Sequence, residues 1–398
     1  DDDDDDDDDD DEPILGVSCG SDYLGGTGSA GFNCPSLQPV CPPNAPEIGV
    51  AGANSLESVE LDWNYSSACD SSYSDWVYLT VPPDIESLAL TVDGDAATTG
   101  FAYVELDGDV LFDWTGVAGP AWGTVPLQHF ANVGGGWVLP NNESTAPTPG
   151  CLAVRPIALH ENKVGQKGFL HVRSQRGVPS AEWDLNVVIV DGAGVTVGDL
   201  APAVDLVDSI LGSNGAGSLG DVNYEVVSTT AGAYIESEGA DIDALRATTV
   251  DCASRSINAY FIADFLDGSL LGIASGIPGA MGVQGTASSG VVVSVDGHRD
   301  WTGAVMAQFL ADTLAHEIGH QIGLFHTTES DGSLHDPIGD TPECPLGADT
   351  NGDGVLDPLE CSAFGGNNFM FWAASGGWSQ AEISPYQADV LAVSPAWE

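Results

Sequence analysis

The chain has 398 residues, of which 43% are hydrophobic, enough for two or three folded domains. Its 8 Lys and Arg residues stand against 60 Asp and Glu residues, which gives a formal net charge of −52 at pH 7. Such a surface repels nucleic acids and anionic membranes, so proteins that bind either are excluded. The sequence also contains no apolar run long enough to span a bilayer.

The first twelve residues are eleven aspartates followed by Glu12. They cannot bury apolar surface, so we predict an extended, solvated tail over residues 1–12. The tail carries 12 of the 52 excess negative charges, and the other 40 belong to the rest of the chain. An acidic spacer of this kind resembles the tether of a bacterial surface lipoprotein. We therefore expect a secreted, extracellular protein, or a cell-surface lipoprotein whose lipid tether is absent from this chain.

Residues 13–46 are rich in Gly, Ser, Pro and Cys, which predicts an irregular leader. An even number of cysteines without a CxxC pair favours disulfides in an exported protein. The alternative is buried free thiols in a cytosolic protein. The eight cysteines are Cys19, Cys34, Cys41, Cys69, Cys151, Cys252, Cys344 and Cys361.

Residues 47–178 contain short runs in which apolar and polar residues alternate between turn signals, which predicts an antiparallel β-sandwich. The pairs Asp93-Gly94 and Asp107-Gly108 predict hairpin turns. An accessory domain of this kind either binds substrate or a cell-surface polymer, or acts as a spacer. The predicted strands are LESVELDW, DWVYLTV, SLALTVDG, GFAYVELDG, GWVLP, CLAVRPIAL and GFLHVRS.

Residues 182–398 form the second predicted domain, in which strands and helices alternate and the fold class is α+β. WDLNVVIVDG, VNYEVVST and INAYFIADF predict strands, and LAPAVDLVDSILGS predicts a helix. A longer helix is predicted from about Thr302 to Gly323. Its core-facing side chains are expected to be Val305, Phe309, Leu314 and Ile318.

The segment from Ala315 to His326, AHEIGHQIGLFH, carries most of the chemistry. Because His316 and His320 are four residues apart on a helix, both imidazoles project from one face and can bind one cation. Gly323 can leave the helix with a positive φ, so the chain can turn and bring His326 round as a third nitrogen ligand. Three protein ligands leave a fourth position open, as catalytic zinc requires. A cysteine of the amino-terminal region could cap the zinc there as a latency switch, because a thiolate is a good zinc ligand.

Glu317 lies between the first two histidines, where it can serve as the general base for a water that zinc activates. This is the chemistry of peptide hydrolysis. The pattern HExxHxxGxxH resembles the metzincin metallopeptidases. That resemblance implies a mixed sheet, a backing helix, an active-site helix and a methionine turn, for which Met370 is the candidate.

Further segments resemble the pappalysin (cytophagalysin) branch of the metzincins. LLGIASGIPG resembles its edge strand, which implies β-augmentation by an extended polypeptide substrate. HDPIGDTPEC resembles its calcium segment, which implies a second calcium site at Asp336, Asp340 and Thr341; the alternative is a surface turn. In this branch a tyrosine commonly follows the methionine by two residues, and here that residue is Trp372, which cannot transfer a phenolic proton.

Residues 349–360, DTNGDGVLDPLE, match the twelve-residue calcium loop, in which carboxylate oxygens converge on one Ca²⁺. The alternative is a solvated acidic loop. Cys344 and Cys361 bracket the segment and are the best candidates for a disulfide. The predicted calcium ligands are Asp349, Asn351, Asp353, Val355 through its carbonyl, Asp357 and Glu360.

Together these features predict a zinc metalloendopeptidase with structural calcium. Two other functions stay open. The first is a catalytically silent metzincin-fold protein that serves adhesion or binding, which intact Glu317 argues against. The second is a zinc amidase that acts on cell-wall peptide, which the edge strand disfavours because that strand suits extended polypeptide. Substrate, cleavage preference, oligomeric state and the removal of the first half on activation do not follow from the sequence.

Overall fold

The computed structural model describes residues 42–67, 70–94, 98–113, 134–159, 162–177, 182–213, 217–248, 255–268 and 270–397. The predicted acidic tail and all but residues 42–46 of the predicted leader lie outside these ranges. So do Cys19, Cys34, Cys41, Cys69 and Cys252. Within the described ranges, no helix combines the length and the apolar character needed to cross a bilayer.

The described residues between 42 and 177, called the first region below, form two antiparallel sheets built from ten strands. One sheet has the order β1-β10-β5-β8, and the other has the order β2-β3-β9-β6-β7, with β4 also paired to β9. The strands are β1 Asn54–Leu61, β2 Trp63–Ser66, β3 Ser71–Ser74, β4 Val77–Val81, β5 Ile85–Gly94, β6 Thr98–Leu106, β7 Asp109–Asp113, β8 Gly134–Leu139, β9 Gly150–Leu159 and β10 Gly168–Arg176.

Alternate side chains of both sheets meet in one hydrophobic cluster. Leu88, Trp137 and Leu170 come from the first sheet, while Phe101 and Val154 come from the second, and all five are fully buried. Each predicted strand of this region overlaps an observed one, because alternation is a strong signal wherever one face of a sheet is buried.

The two predicted hairpin turns have different outcomes. Asp107 and Gly108 both have positive φ and connect β6 to β7, which pair with each other. The turn predicted at Asp93-Gly94 is wrong, because β5 pairs with β10 and β8 whereas β6 pairs with β7 and β9. The chain passes there from one sheet to the other.

The described residues between 182 and 397, called the second region below, form a mixed sheet with helices, consistent with the α+β class. The sheet order is β12-β11-β14-β17-β16; the first four strands are parallel, and β16 is antiparallel to β17. The strands of this sheet are β11 Glu182–Val190, β12 Ser218–Val227, β14 Ile257–Ile262, β16 Gly272–Ala274 and β17 Val291–Ser294. Two short strands, β13 Tyr234–Ile235 and β15 Asp264–Phe265, form a separate parallel pair. The helices are α1 Val197–Gly212, α2 Ala240–Arg246, α3 Ala307–Gln321 and α4 Pro385–Ala392.

Helices α1 and α3 pack together and bury their apolar faces in the core of the second region. Helix α3 is shorter than the predicted 302–323, because Val305 forms an isolated β-bridge with Arg299 before the helix begins. Leu314 and Ile318 are fully buried, as predicted, while Val305 and Phe309 are only half-buried.

The segment after α3 has little regular structure and is held by a covalent link. Cys344 and Cys361 form the predicted disulfide. Both cysteines are buried in a small cluster that also contains Leu356 and Phe371. The link therefore ties the two ends of the acidic loop to a common core.

Candidate metal centre

Helix α3 places three of the predicted site residues on one surface. His316 and His320 are one turn apart, and Glu317 lies beside them. The helix then ends in a Schellman motif: Gly323 N donates to His320 O and Leu324 N donates to Gly319 O, both at 2.9 Å. Gly323 has φ +107°, which only glycine adopts readily. This turn reverses the chain and brings His326 back to the helix.

The three histidines meet through their Nε2 atoms. His326 Nε2 lies 3.0 Å from His320 Nε2 and 3.3 Å from His316 Nε2. Among the described residues, this is the one group of three or more His, Cys, Asp or Glu whose ligand atoms all lie within 4.8 Å of one another. Three nitrogens on a tetrahedral zinc ion lie about 3.3 Å apart, so the spacing suits zinc.

Hydrogen bonds fix the tautomer of each ring. The Nδ1 atoms of His316 and His320 contact the carbonyl oxygens of Phe369 and Leu324, at 2.7 and 2.8 Å. Because a carbonyl only accepts, Nδ1 carries the proton and Nε2 presents a lone pair. Lone pairs at 3.0 Å repel each other unless a cation accepts them. The donor set therefore fits a metal ion.

Glu329 holds the third ring in the same way, and sequence reasoning missed it. His326 Nδ1 lies 3.0 Å from both carboxylate oxygens of Glu329. A carboxylate behind a histidine ligand raises the basicity of the ring. The signal in the sequence is a His-x-x-Glu spacing, which is too common to be recognised without the structure.

Burial dominates the electrostatics of the site. Burial, together with the neighbouring His326, lowers the pKa of His316 to about 3, so the ring is neutral as a metal ligand must be. Burial raises the pKa of Glu317, and a hydrogen bond from the Ala274 N–H and the charge of Arg246 offset part of the rise, which leaves the pKa at about 8. A bound cation would lower that pKa again and favour the carboxylate form of Glu317.

Two glycines allow close packing around these groups. A Cβ at Gly272 of β16 would lie 2.7 Å from Glu317 Cγ, so the general-base candidate packs against the backbone of the edge strand. A Cβ at Gly319 would collide with Met370 Sδ. Met370 is fully buried against the helix turn that carries the histidines, where the predicted methionine turn is expected.

An open cleft of about 800 Å³ contains the histidines and Glu317. Its lining includes strand β16 with the residues up to Ile277, and also Phe369 and Trp372. Trp372 donates its Nε1–H to Leu356 O at 2.6 Å, so that donor is already used within the protein. A cleft of this size with one sheet edge along it can hold an extended peptide.

The predicted calcium ligands are less closely grouped. In residues 349–360 the carboxylates accept hydrogen bonds from the amides of the loop itself, such as Gly352 N to Asp349 Oδ1 at 2.6 Å and Thr350 N to Glu360 Oε1 at 2.7 Å. The hydrogen bonds from Thr350 lower the pKa of Glu360. Calcium binding at Asp349, Asn351, Asp353, Val355, Asp357 and Glu360 stays a prediction.

The three predicted ligands of the second calcium segment have different hydrogen-bond partners. Thr341 donates to Asp336, and the other carboxylate oxygen of Asp336 is buried without a hydrogen-bond partner. Burial raises the pKa of Asp336 to about 7. Asp340 instead accepts hydrogen bonds from Ser384 and from Tyr386 N at the start of α4. The structure therefore joins Asp336 to Thr341 and uses Asp340 to hold a helix.

Comparison with known proteins supports a peptidase. Residues 213–327, which include the three histidines and Glu317, match the model of the reprolysin-like metallopeptidase family M12B. No curated protein gives a significant match. A metallopeptidase family match and a histidine trio with converging Nε2 atoms together support a metal, usually zinc, in this protein.

Several solved structures are similar at low identity. Mature mirolysin from Tannerella forsythia, in complex with a cleaved peptide, is 18% identical over 54% of this chain and 91% of its own, with a TM-score of 0.35. Archaemetzincin from Methanopyrus kandleri is 18% identical over 54% and 89%, with a TM-score of 0.30. Metalloproteinase-II from Bacteroides fragilis is 16% identical over 42% and 55%, with a TM-score of 0.28. With TM-scores this low, the properties of those enzymes are not transferred to this chain.

Proposed function

We propose that this protein is a zinc-dependent endopeptidase of the metzincin type, in which His316, His320 and His326 bind the metal and Glu317 is the general base. The observation that carries the proposal is the convergence of three Nε2 lone pairs beside a buried carboxylate. The family match over residues 213–327 supports the same chemistry.

Zinc bound to the three histidines would supply an activated water, with its pKa lowered to about 7, and would polarise the scissile carbonyl. Glu317 takes the proton from the attacking water and delivers it to the leaving amine. The Ala274 N–H and the Gly272 backbone hold the Glu317 side chain in place. Phe369 O, Leu324 O and Glu329 orient the histidine rings.

Extended polypeptide is the proposed substrate. Strand β16 lies at the end of the five-stranded sheet and lines the cleft, so its free edge can pair with a peptide backbone. We propose the pappalysin branch of the metzincins, supported by the resemblance of the segment that contains Asp336. Met370, which packs beneath Gly319, supports the metzincin type in general. Residues 47–178 are proposed to be an accessory β-sandwich, supported by the cluster that two sheets share.

We further propose calcium as a structural ion at residues 349–360, supported by the match to the loop pattern and by the disulfide that brackets the segment. Export from the cell is proposed on the same disulfide, since structural disulfides form in oxidising compartments. The surrounding acidic surface would favour calcium through long-range attraction.

The test is the substitution Glu317→Gln. We expect the variant to keep one zinc per chain and to cleave casein about 10²- to 10⁴-fold more slowly than wild type, because it loses the general base but no metal ligand. Glu225→Gln, at an exposed position on β12, is the control and should behave as wild type. Equal cleavage by the Glu317→Gln protein would refute the mechanism, and cleavage of muropeptide in place of casein would indicate an amidase.

A further inference from the structure

We infer that strands β5 and β8 of the first region position two segments that border the metal site: the turn at Gly323 and the edge-strand segment, residues 270–279. The first region is therefore a permanent part of the enzyme. This inference rests on the proposed function. Side chains on β8 alternate between two cores: Trp137 and Leu139 belong to the cluster of the first region, whereas Val138 belongs to the cluster of the second. Ala89 of β5, the pairing partner of Val138, also lies in the second cluster.

Val138 contacts the turn that ends helix α3. A Cβ added to Gly323 would lie 2.6 Å from Val138 Cγ1, so this side chain packs directly against the Gly323 backbone. Val138 is 4% exposed, which shows that the contact is closed to water. The turn that brings His326 back to the helix is therefore backed by a residue of the first region.

A second contact fixes the end of the edge-strand segment. A Cβ at Gly136 of β8 would lie 2.7 Å from Pro278 Cδ and would also collide with the Pro278 carbonyl. Thr91 of β5 donates to Gly279 O at 3.1 Å. Gly279 N in turn donates to Gln321 O at 3.0 Å, at the last residue of α3. The edge-strand segment and the helix end are thus held together against the same two strands.

The contact between Val138 and the Gly323 turn reaches the histidines through a short path. Gly323 N donates to His320 O, and the carbonyl of the next residue, Leu324, accepts from His320 Nδ1. A shift of the Gly323 turn would therefore move the acceptor that orients His320 and the chain that carries His326. Val138 is a positioning residue, since it touches neither metal nor substrate.

A third contact holds the carboxyl-terminal segment to the first sheet. Arg173 of β10 is 2% exposed, and its Nε donates to Pro395 O at 2.6 Å. Asn54 Nδ2 donates to Pro395 O and to Trp397 O, both at 2.6 Å. Trp397 is fully buried, packed near Trp183 of the central sheet. Removal of the first region would expose these carbonyls and part of the apolar core.

The placement of these contacts argues against a removable pro-region. A latency segment must obstruct the cleft, yet every residue that lines the cleft belongs to the second region, from Ser237 onward, among the described residues. The described residues of the first region contact the Gly323 turn and Pro278, and none of them lines the cleft. These contacts therefore support the end of helix α3 and the edge-strand segment.

The test compares Val138→Ala with Val172→Ala in the full chain. The two changes are chemically identical and both sites are buried, but Val172 packs only in the core of the first region. We expect both variants to lose thermal stability, whereas only Val138→Ala weakens zinc binding, by about tenfold, because it loosens groups that orient the ligands. Zinc affinity is measured by competition with a chromophoric chelator.

Amide hydrogen exchange at Gly323 and Leu324 gives a second readout that does not depend on metal. We expect faster exchange at both amides in Val138→Ala and no change in Val172→Ala. Equal zinc affinity and equal exchange in the two variants would overturn the inference while leaving the proposed function intact. Wild-type protein that binds no zinc would refute the proposed function, and the exchange rates would still decide whether Val138 positions the turn.

Discussion

The histidine segment, residues 315–326, and the acidic loop, residues 349–360, both carry side chains that suit a metal ion, but they use them differently. In the histidine segment each Nδ1 contacts a fixed acceptor and each Nε2 faces the other rings. In the acidic loop the carboxylates accept hydrogen bonds from the loop's own amides, with Asp349 bound to Gly352 N and Gly354 N.

The backbone explains this difference. A helix satisfies its own amides, so its side chains are free to point at a common centre. A loop leaves its amides unpaired, and nearby Asp and Asn side chains accept their hydrogen bonds. A metal at the histidines would have little to reorganise, whereas a cation at the loop must share oxygens that already accept from amides. The predictions below test this contrast.

The largest effect is expected from His320→Ala. Two remaining ligands cannot hold zinc firmly, and the loss of several kcal/mol of transition-state stabilisation lowers the cleavage rate by about a thousandfold or more. Zinc content and casein cleavage are the measurements. His335→Ala, which removes a histidine outside the trio, should keep the zinc content and the casein cleavage of wild type. A His320→Ala protein with one tightly bound zinc would contradict the prediction that all three histidines are needed to hold the metal.

The next effect concerns a buried histidine without a metal role. His298 is fully buried, with Nδ1 at 2.6 Å from Ser294 O and Nε2 at 2.8 Å from Thr313 Oγ1. Burial lowers its pKa to about 4, against 6.5 when unfolded. As pH falls from 6.5 to 4 the unfolded chain gains a proton that the folded chain does not. The free energy of unfolding therefore drops by up to about 3 kcal/mol.

Urea unfolding of metal-free protein between pH 7 and pH 4 measures this loss. His298→Gln should unfold with a shallower dependence on pH, because the titrating group is gone. The same slope in wild type and variant would show that His298 takes up no proton when the chain unfolds in this pH range. That result would contradict the prediction that burial of neutral His298 lowers the free energy of unfolding at low pH.

Calcium should act on stability and leave the chemistry unchanged. Added Ca²⁺ at about 100 times its dissociation constant would stabilise the protein by about 2.7 kcal/mol. Asp349→Asn should abolish that gain while zinc content and casein cleavage at 25 °C stay at wild-type values. Asp331→Asn, at an exposed position in the preceding loop, is the control. Thermal unfolding that calcium does not shift would assign the loop to a solvated turn.

The smallest effect is expected from Glu329→Gln. The amide oxygen still accepts from His326 Nδ1 but without a negative charge, so zinc affinity should fall by about tenfold with the fold unchanged. Glu343→Gln, an exposed position in the same region, should have no effect. A Glu329→Gln protein that binds zinc as tightly as wild type would show that the two backbone carbonyls alone orient the site.

Local patterns predicted much of this fold. The alternation of residues 47–178 indicated strands that the structure contains, and helical spacing placed His316 and His320 on one face. The Asp93-Gly94 prediction failed because a turn signal states that the chain bends and not which strand it pairs with next. The start of α3 was misplaced for a similar reason, since the pairing of Val305 with Arg299 is a contact that no local pattern shows.

The sequence by itself determined that His316, His320, His326 and Glu317 lie together, because a helix and a glycine turn fix those four side chains within twelve residues. The disulfide between Cys344 and Cys361 is likewise a short-range feature. The tertiary structure alone decided what holds the site: Phe369 O behind His316, Met370 beneath Gly319, and Val138 against Gly323. These groups are up to 185 residues apart in the chain, as with Val138 and Gly323, and only packing of complete domains brings them together.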